Sequence, residues 1–305
     1  MFSNLKNTRH LETTCAHTPT DTMGSLRFPA FLLVLLYTTV VQITEELIQV
    51  SMFPEAADYS FNSCRKEMLQ MVTKAGGLLQ TELNNNTDFK NMWENNTCEK
   101  AIPGVTPEHM TALKNYGEAK PKFHKTFKKL LRTKSRGNST YQDKFPFKSL
   151  FFLLTDAMQL LKSNCTTVYS GTGEKYSIKI GDKVRFESFF PAKLKYTDAT
   201  EDAAVETNGT VFNIFSCSVI NLDKMCMTED IDLLISPTEV FTVKNITTVI
   251  SSDDHYIEIN LMHSGIESSS DCSSLASVSE ESSSSSSSLS LMASLLMMYF
   301  YMPTL

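Results

Sequence analysis

At Cys165 the hydrophobic period of this chain changes, and that change limits the folds open to it. Upstream, apolar residues recur at helical steps. Met68, Met71, Val72 and Ala75 follow Cys64 at such steps, and Gly76-Gly77 stops the run. Thr106-Pro-Glu108 combines a hydroxyl cap, a first-turn proline and an acid near the positive end of the helix dipole, so a helix is expected to start there. The next is expected near 124–131. Residues 147–162 are apolar on nearly every side, which predicts a central helix under a sheet. Downstream, short runs rich in β-branched and aromatic residues predict strands at 166–169, 184–190, 211–218, 233–235, 239–243 and 256–261. Helices first and strands afterwards is an α+β arrangement.

The two ends read as processing signals. From Met23, Arg27 supplies a positive n-region and residues 31–41 an apolar h-region, so 23–45 is expected to be a secretory signal peptide, with a short buried helix as the alternative. Residues 1–22 form an upstream extension that such signals seldom carry. At the other end, a serine-rich stretch, 268–288, precedes an apolar tail without charge, 289–305. Small residues, polar spacer and apolar tail predict a glycosylphosphatidylinositol (GPI) attachment signal, a single transmembrane anchor being the alternative. The expected location is the extracellular face of the plasma membrane, GPI-anchored or secreted. Between the signals lies one domain, 46–267, and roughly 225 residues are enough for a single core. The net charge of -6 excludes no partner class.

Six of the seven cysteines (Cys64, Cys98, Cys165, Cys217, Cys226, Cys272) lie in the mature region, between the signal peptide and the apolar tail, where an oxidising compartment favours disulfides. Six cysteines allow fifteen connectivities, so spacing alone pairs none of them. Sequons at Asn85, Asn95, Asn138, Asn164, Asn208 and Asn245 predict a glycosylated surface. His109, His124, His255 and His263 are not spaced as metal ligands, and no metal is expected. Gly171-Thr-Gly173 is too short for a phosphate-cradling loop. Between Lys114 and Arg136 nine basic residues accompany a single acid, Glu118. That run reads first as the solvated face of a helix and second as a groove for phosphates or anionic glycans. No nucleic-acid motif is present, and no nucleic acid is expected as partner.

Five segments together carry a family resemblance: Tyr59-Ser-Phe-Asn-Ser-Cys64, Val105-Thr-Pro-Glu-His109, Phe151-Phe-Leu-Leu-Thr-Asp-Ala157, Val168-Tyr-Ser-Gly-Thr172 and Pro237-Thr-Glu-Val-Phe241. With Asp230-Ile-Asp232 ahead of Leu233-Leu-Ile235, the chain resembles the arginine-specific ecto-ADP-ribosyltransferases. The resemblance implies a helical N-terminal part followed by two packed β-sheets forming an NAD cleft. It implies transfer of ADP-ribose from NAD or NADP, as substrate, to arginine side chains of extracellular proteins, by a monomer. It also pairs Cys64 with Cys272 and Cys165 with Cys217, leaving Cys98 and Cys226 as a candidate third bridge.

The same resemblance assigns residues. The catalytic Glu of the family falls on Asp232, and the Glu that engages the acceptor guanidinium falls on Asp230. The phosphate-binding Arg falls on Ser170, and Tyr169 and Gly171 beside it are further candidates for contact with NAD. The Ser-x-Ser element that positions the catalytic carboxylate falls on Phe190-Pro-Ala-Lys193, with Pro191 at its first serine. Arg185, Ser188 and Lys175 are candidates to replace the missing contacts to NAD. Each aspartate is one methylene shorter than the glutamate it replaces. Two other readings follow from these departures: a cell-surface protein that binds NAD, a protein or a glycan without catalysis, and an NAD glycohydrolase.

Overall fold

A computed structural model describes residues 47–94, 98, 100–135, 141, 143–161, 164–204, 209–226, 231–251, 255–268 and 272. Within them, helices come first. They are α1 (Arg65–Thr73), α2 (Leu78–Asn85), α3 (Thr87–Glu94), α4 (Pro107–Gly117), α5 (Pro121–Lys134) and α6 (Lys148–Leu161). Met68 and Val72 bury one face of α1, and Gly76, with φ of 69°, takes the left-handed turn that separates it from α2. The expected cap at Thr106 forms as a box in which His109 replaces the usual acid. His109 Nδ1 lies 3.2 Å from the Thr106 backbone nitrogen and 2.9 Å from its Oγ1.

Buried carboxylates join these helices. Glu82 of α2 accepts from the backbone N–H groups of Lys148 (3.0 Å) and Ser149 (2.9 Å), placing an anion on the positive end of α6. Asp156 of α6 meets His109 Nε2 at 2.9 Å and pairs with Arg65 Nε, linking α6 to α4 and α1. Burial opposes ionisation of Asp156, but the hydrogen bonds from His109 and Arg65 prevail and hold its carboxyl below the usual range. Residues 149–158 of α6 are all buried, among the other helices and against one short strand.

The strands follow. A five-stranded sheet has the order β2 (Thr166–Thr172), β6 (Thr210–Ser216), β10 (His255–Ile266), β9 (Glu239–Ile250), β4 (Lys183–Val184). A three-stranded sheet has β8 (Leu233–Ile235) between β5 (Phe190–Ala192) and β7 (Val219–Asn221). Two residues of β1 (Ile48–Gln49) pair in parallel with β3 (Tyr176–Ser177). Helix α7 (Tyr196–Ala204) packs on β2, and α8 (Leu222–Cys226) follows β7. Leu234 joins the helical core, whereas Leu233 and Ile235 join the core between the sheets. Burial on both faces explains why β8 reads as an unbroken apolar run.

The expected strand over 184–190 is interrupted. Only its ends pair in sheets; between them Arg185, Glu187 and Ser188 bury polar side chains, Arg185 paired with Asp58 and Glu187 with Lys128 and Arg132. Two disulfides, Cys64–Cys272 and Cys165–Cys217, span 208 and 52 residues. Cys98 is also disulfide-bonded, and its sulfur lies 3.7 Å from the carbonyl oxygen of Met225. The side chain of Cys226, its expected partner, lies outside the described residues, as do Asn95, Asn138, Asn208 and the segments 1–46 and 273–305. Asn85, Asn164 and Asn245 are exposed. No helix among the described residues is long and apolar enough to cross a membrane.

Candidate functional site

The two larger sheets are joined at a backbone bridge between Tyr169 and Lys193. The Tyr169 N–H donates to Lys193 O at 3.0 Å, and the Lys193 N–H to Tyr169 O at 2.6 Å. Lys193 directly follows β5, which pairs Pro191 with Leu234 and Ala192 with Leu233. One further step along this antiparallel register sets Lys193 opposite Asp232. On the other side, β7 and β8 pair as far as Asn221 and Leu233, and the Leu222 N–H donates to Asp232 O at 2.8 Å. The backbone of Asp232 is thus held between two neighbours, at the open end of a strand whose other residues are buried.

Alternation along the strands puts Pro191, Lys193 and Asp232 on one face. Asp232 is half-buried, and its carboxylate has no hydrogen bond or ion pair among the described residues. Lys193 is half-buried beside it. A sheet end that carries one unsatisfied carboxylate and one ammonium can stabilise positive charge at a reacting carbon and hold an anionic group nearby.

The turn behind Asp232 is fixed by Glu239. Its carboxylate is fully buried and accepts from Ser216 Oγ (2.5 Å) and from the N–H groups of Cys217 (2.6 Å) and Ser218 (3.2 Å), with His263 Nδ1 at 2.7 Å. Ser236 N–H then donates to Ser218 O at 3.0 Å. One carboxylate therefore ties the β6–β7 turn to the segment that leaves β8. Cys217, Glu239 and His263 cluster closely enough to suggest a metal site. Cys217, however, is bonded to Cys165 and offers no thiolate.

The residues named from sequence differ in what surrounds them. Tyr169 and Ser170 stand at the junction: Ser170 lies opposite Phe212 with 9 % exposure, and the Tyr169 ring meets Tyr196 edge-on at 5.3 Å. Gly171 serves packing, since a Cβ there would stand 1.8 Å from the Ala199 carbonyl oxygen of α7. Arg185 and Ser188 do not fit the cofactor contacts expected of them. The Arg185 guanidinium, in a residue 4 % exposed, donates to Asp58 Oδ2 (3.1 Å), Phe53 O (2.8 Å), Ala56 O (3.4 Å) and Met52 O. It is spent on a loop whose Phe53 has φ of 43°. Ser188 is buried toward the helices, beside the hydroxyl of Tyr116, whose pKa burial raises and Ser188 partly restores. Lys175 lies by β1, its carbonyl accepting from the Ile48 N–H. Asp230 lies outside the described residues.

Sequence reading passed over Lys193 as a substituted serine. Its place two residues after Pro191, on the face of Asp232, was the available signal. A separate depression of about 350 Å³ between α1, α2, α3 and α4, lined by Lys74, Trp93 and Glu108 among others, contains none of these residues.

A family profile described as NAD:arginine ADP-ribosyltransferase matches residues 50–269. The chain is similar to bovine Ecto-ADP-ribosyltransferase 5, 27% identical over 254 residues that cover 73% of this chain and 77% of the relative. It is also similar to mouse T-cell ecto-ADP-ribosyltransferase 1, 29% identical over 223 residues, 70% of this chain and 72% of the relative. In fold it resembles a crystal structure of a mutant of the eukaryotic mono-ADP-ribosyltransferase ART2.2 in complex with NAD, with a TM-score of 0.55 and 22% identity over 74% of this chain and 99% of that one. The α+β fold with its two joined sheets, the expected disulfides and the profile match across the domain agree, and the chain belongs to the NAD:arginine ADP-ribosyltransferase family.

Proposed function

We propose that this protein transfers ADP-ribose from NAD to arginine side chains of extracellular proteins, with Asp232 as the catalytic carboxylate. The observation that carries the proposal is the half-buried carboxylate of Asp232 at the sheet junction, unsatisfied among the described residues; the sequence resemblance assigns this position to the catalytic carboxylate. In the reaction the bond between nicotinamide and ribose breaks, and nicotinamide leaves with the bonding electrons. A guanidinium nitrogen then bonds to the same ribose carbon and releases one proton. Asp232 stabilises the positive charge that builds on the ribose. Asp230, two residues upstream, would hold the incoming guanidinium as a charge-assisted partner. With Arg185 engaged by Asp58, Lys193 is a cation at the junction, without an ion pair among the described residues, that would face the NAD phosphates in place of the arginine replaced by Ser170.

The residues present fit NAD as a substrate in charge and position. No step of this chemistry calls for a metal. The reading also keeps residues 46–267 as the folded domain, with a secretory signal before it and a GPI signal after it. The relatives named ecto-ADP-ribosyltransferases support the extracellular part. A second reading, binding without transfer, draws on Ser170, Pro191 and the shortened acids.

Incubation of the full chain with NAD labelled in its adenylate half and with agmatine, a small guanidine, separates the readings. Labelled agmatine supports the transferase. Nicotinamide release without it indicates a glycohydrolase. NAD binding with neither product supports the binding protein.

A further inference from the structure

We infer that the solvent face of α5 is a binding surface for a sulfated glycosaminoglycan chain. Helix α5 runs Pro121–Lys134 and carries Lys122, Lys125, Lys128, Lys129, Arg132 and Lys134 with no acidic residue. At about 100° per residue, Lys122, Lys125, Lys128, Lys129 and Arg132 fall within an arc of about 120°. Phe127 and Leu131, fully buried, lie on the opposite side. The basic stripe runs about 15 Å along the helix axis.

This stripe is poorly matched to its own helix. Each spacing of three or four residues within it joins two cations, an arrangement that destabilises a helix by itself. Lys122 also stands in the first turn, where the helix dipole disfavours positive charge. At one edge, Lys128 and Arg132 are compensated by the buried Glu187, at 2.9 and 3.5 Å. Lys122, Lys125 and Lys129 are exposed and form no ion pair among the described residues. Such a row, on a chain whose net charge is -6, is complementary to a linear polyanion.

The choice among polyanions follows from what the face lacks. Its hydroxyls, Thr126 and Thr133, bond back to the Lys122 and Lys129 carbonyls, and no aromatic ring stands among the five cations to stack on a base. No large apolar side chain stands there either, as insertion into a lipid surface would require. The disulfides fit an oxidising compartment outside the cytosol, where sulfated glycans are the abundant linear polyanions.

The test uses the full chain in detergent, with heparin as probe. A Lys122→Gln/Lys125→Gln/Lys129→Gln variant is compared with Lys179→Gln/Lys183→Gln/Lys244→Gln, which removes the same charge from exposed strand and loop positions. The α5 variant is expected to bind heparin about tenfold or more weakly, with a salt slope reduced by about two to three, while the control binds as wild type. In the unmutated protein, heparin is expected to shield Lys122, Lys125 and Lys129 from amine acylation but not Lys179 or Lys183. Equal affinity of the two variants, or equal acylation with and without heparin, would overturn the inference. So would tighter binding to a single-stranded oligonucleotide or to phosphatidylserine vesicles than to heparin.

Discussion

Replacing glutamate by aspartate at position 232 keeps the charge but withdraws it by one methylene from the reacting ribose. A misplacement of about 1 Å can lower a rate about 100-fold, so Asp232→Glu is expected to raise kcat for transfer by about tenfold or more. A fall would mean that the cleft is built around the shorter acid. Lys193→Met is expected to raise KM for NAD by about tenfold with little change in kcat, the pattern of a residue that binds substrate and transition state alike. An unchanged KM would remove Lys193 from the site. Arg185 belongs to stability instead: Arg185→Met breaks the buried ion pair with Asp58 and the hydrogen bonds to the 52–56 loop, and is expected to lower unfolding free energy by about 3–5 kcal/mol in a denaturant titration. A raised KM for NAD without lost stability would contradict that assignment. Sequence separated Asp232 from its neighbours because a strand and a motif follow it. It could not separate Arg185 from a phosphate ligand, because only the folded loop at 52–56 shows what the guanidinium holds.

Among the elements, helices α1, α4 and α6 were legible because their caps, breakers and apolar spacing are local. The interruption at 185–189, the short β1, β3 and β7 and the helix α7 were not, because they depend on partners distant in the chain. Helix α7 explains Gly171, a residue first read as a cofactor contact. Gly171→Ala is expected to push α7 from β2 and to destabilise by about 1–3 kcal/mol, measured by thermal unfolding. The Arg65–Asp156–His109 link joins three helices and gives a pH signature. Because the Asp156 carboxyl is held below its unfolded value, its contribution is complete above about pH 4 and is lost as pH falls through the folded value. Asp156→Asn is expected to remove that part of the acid dependence, so that the stability difference from wild type narrows below about pH 4. A difference that stays constant across that range would rule the link out as its source.

For the molecule as a whole, the bridges Cys64–Cys272 and Cys165–Cys217 close loops of different length. Loop entropy makes the Cys64–Cys272 closure worth about 5 kcal/mol and the Cys165–Cys217 closure about 4 kcal/mol, so replacing the first pair by serine is expected to lower the unfolding midpoint more. The reverse order would show that the shorter bridge is needed for the sheet to form. Fold class was legible in the change of hydrophobic period at Cys165 and family in five dispersed segments, while the join between the sheets was not. It includes the backbone bridge from Tyr169 to Lys193, which no local pattern announces. The proposed chemistry lies at that join, and the rate of label transfer from NAD to agmatine by Asp232→Asn tests it most directly. The substitution keeps shape and removes charge, so a rate at least about 100-fold below wild type at unchanged thermal stability is expected. A rate equal to that of wild type would contradict the assignment of Asp232 as the catalytic carboxylate.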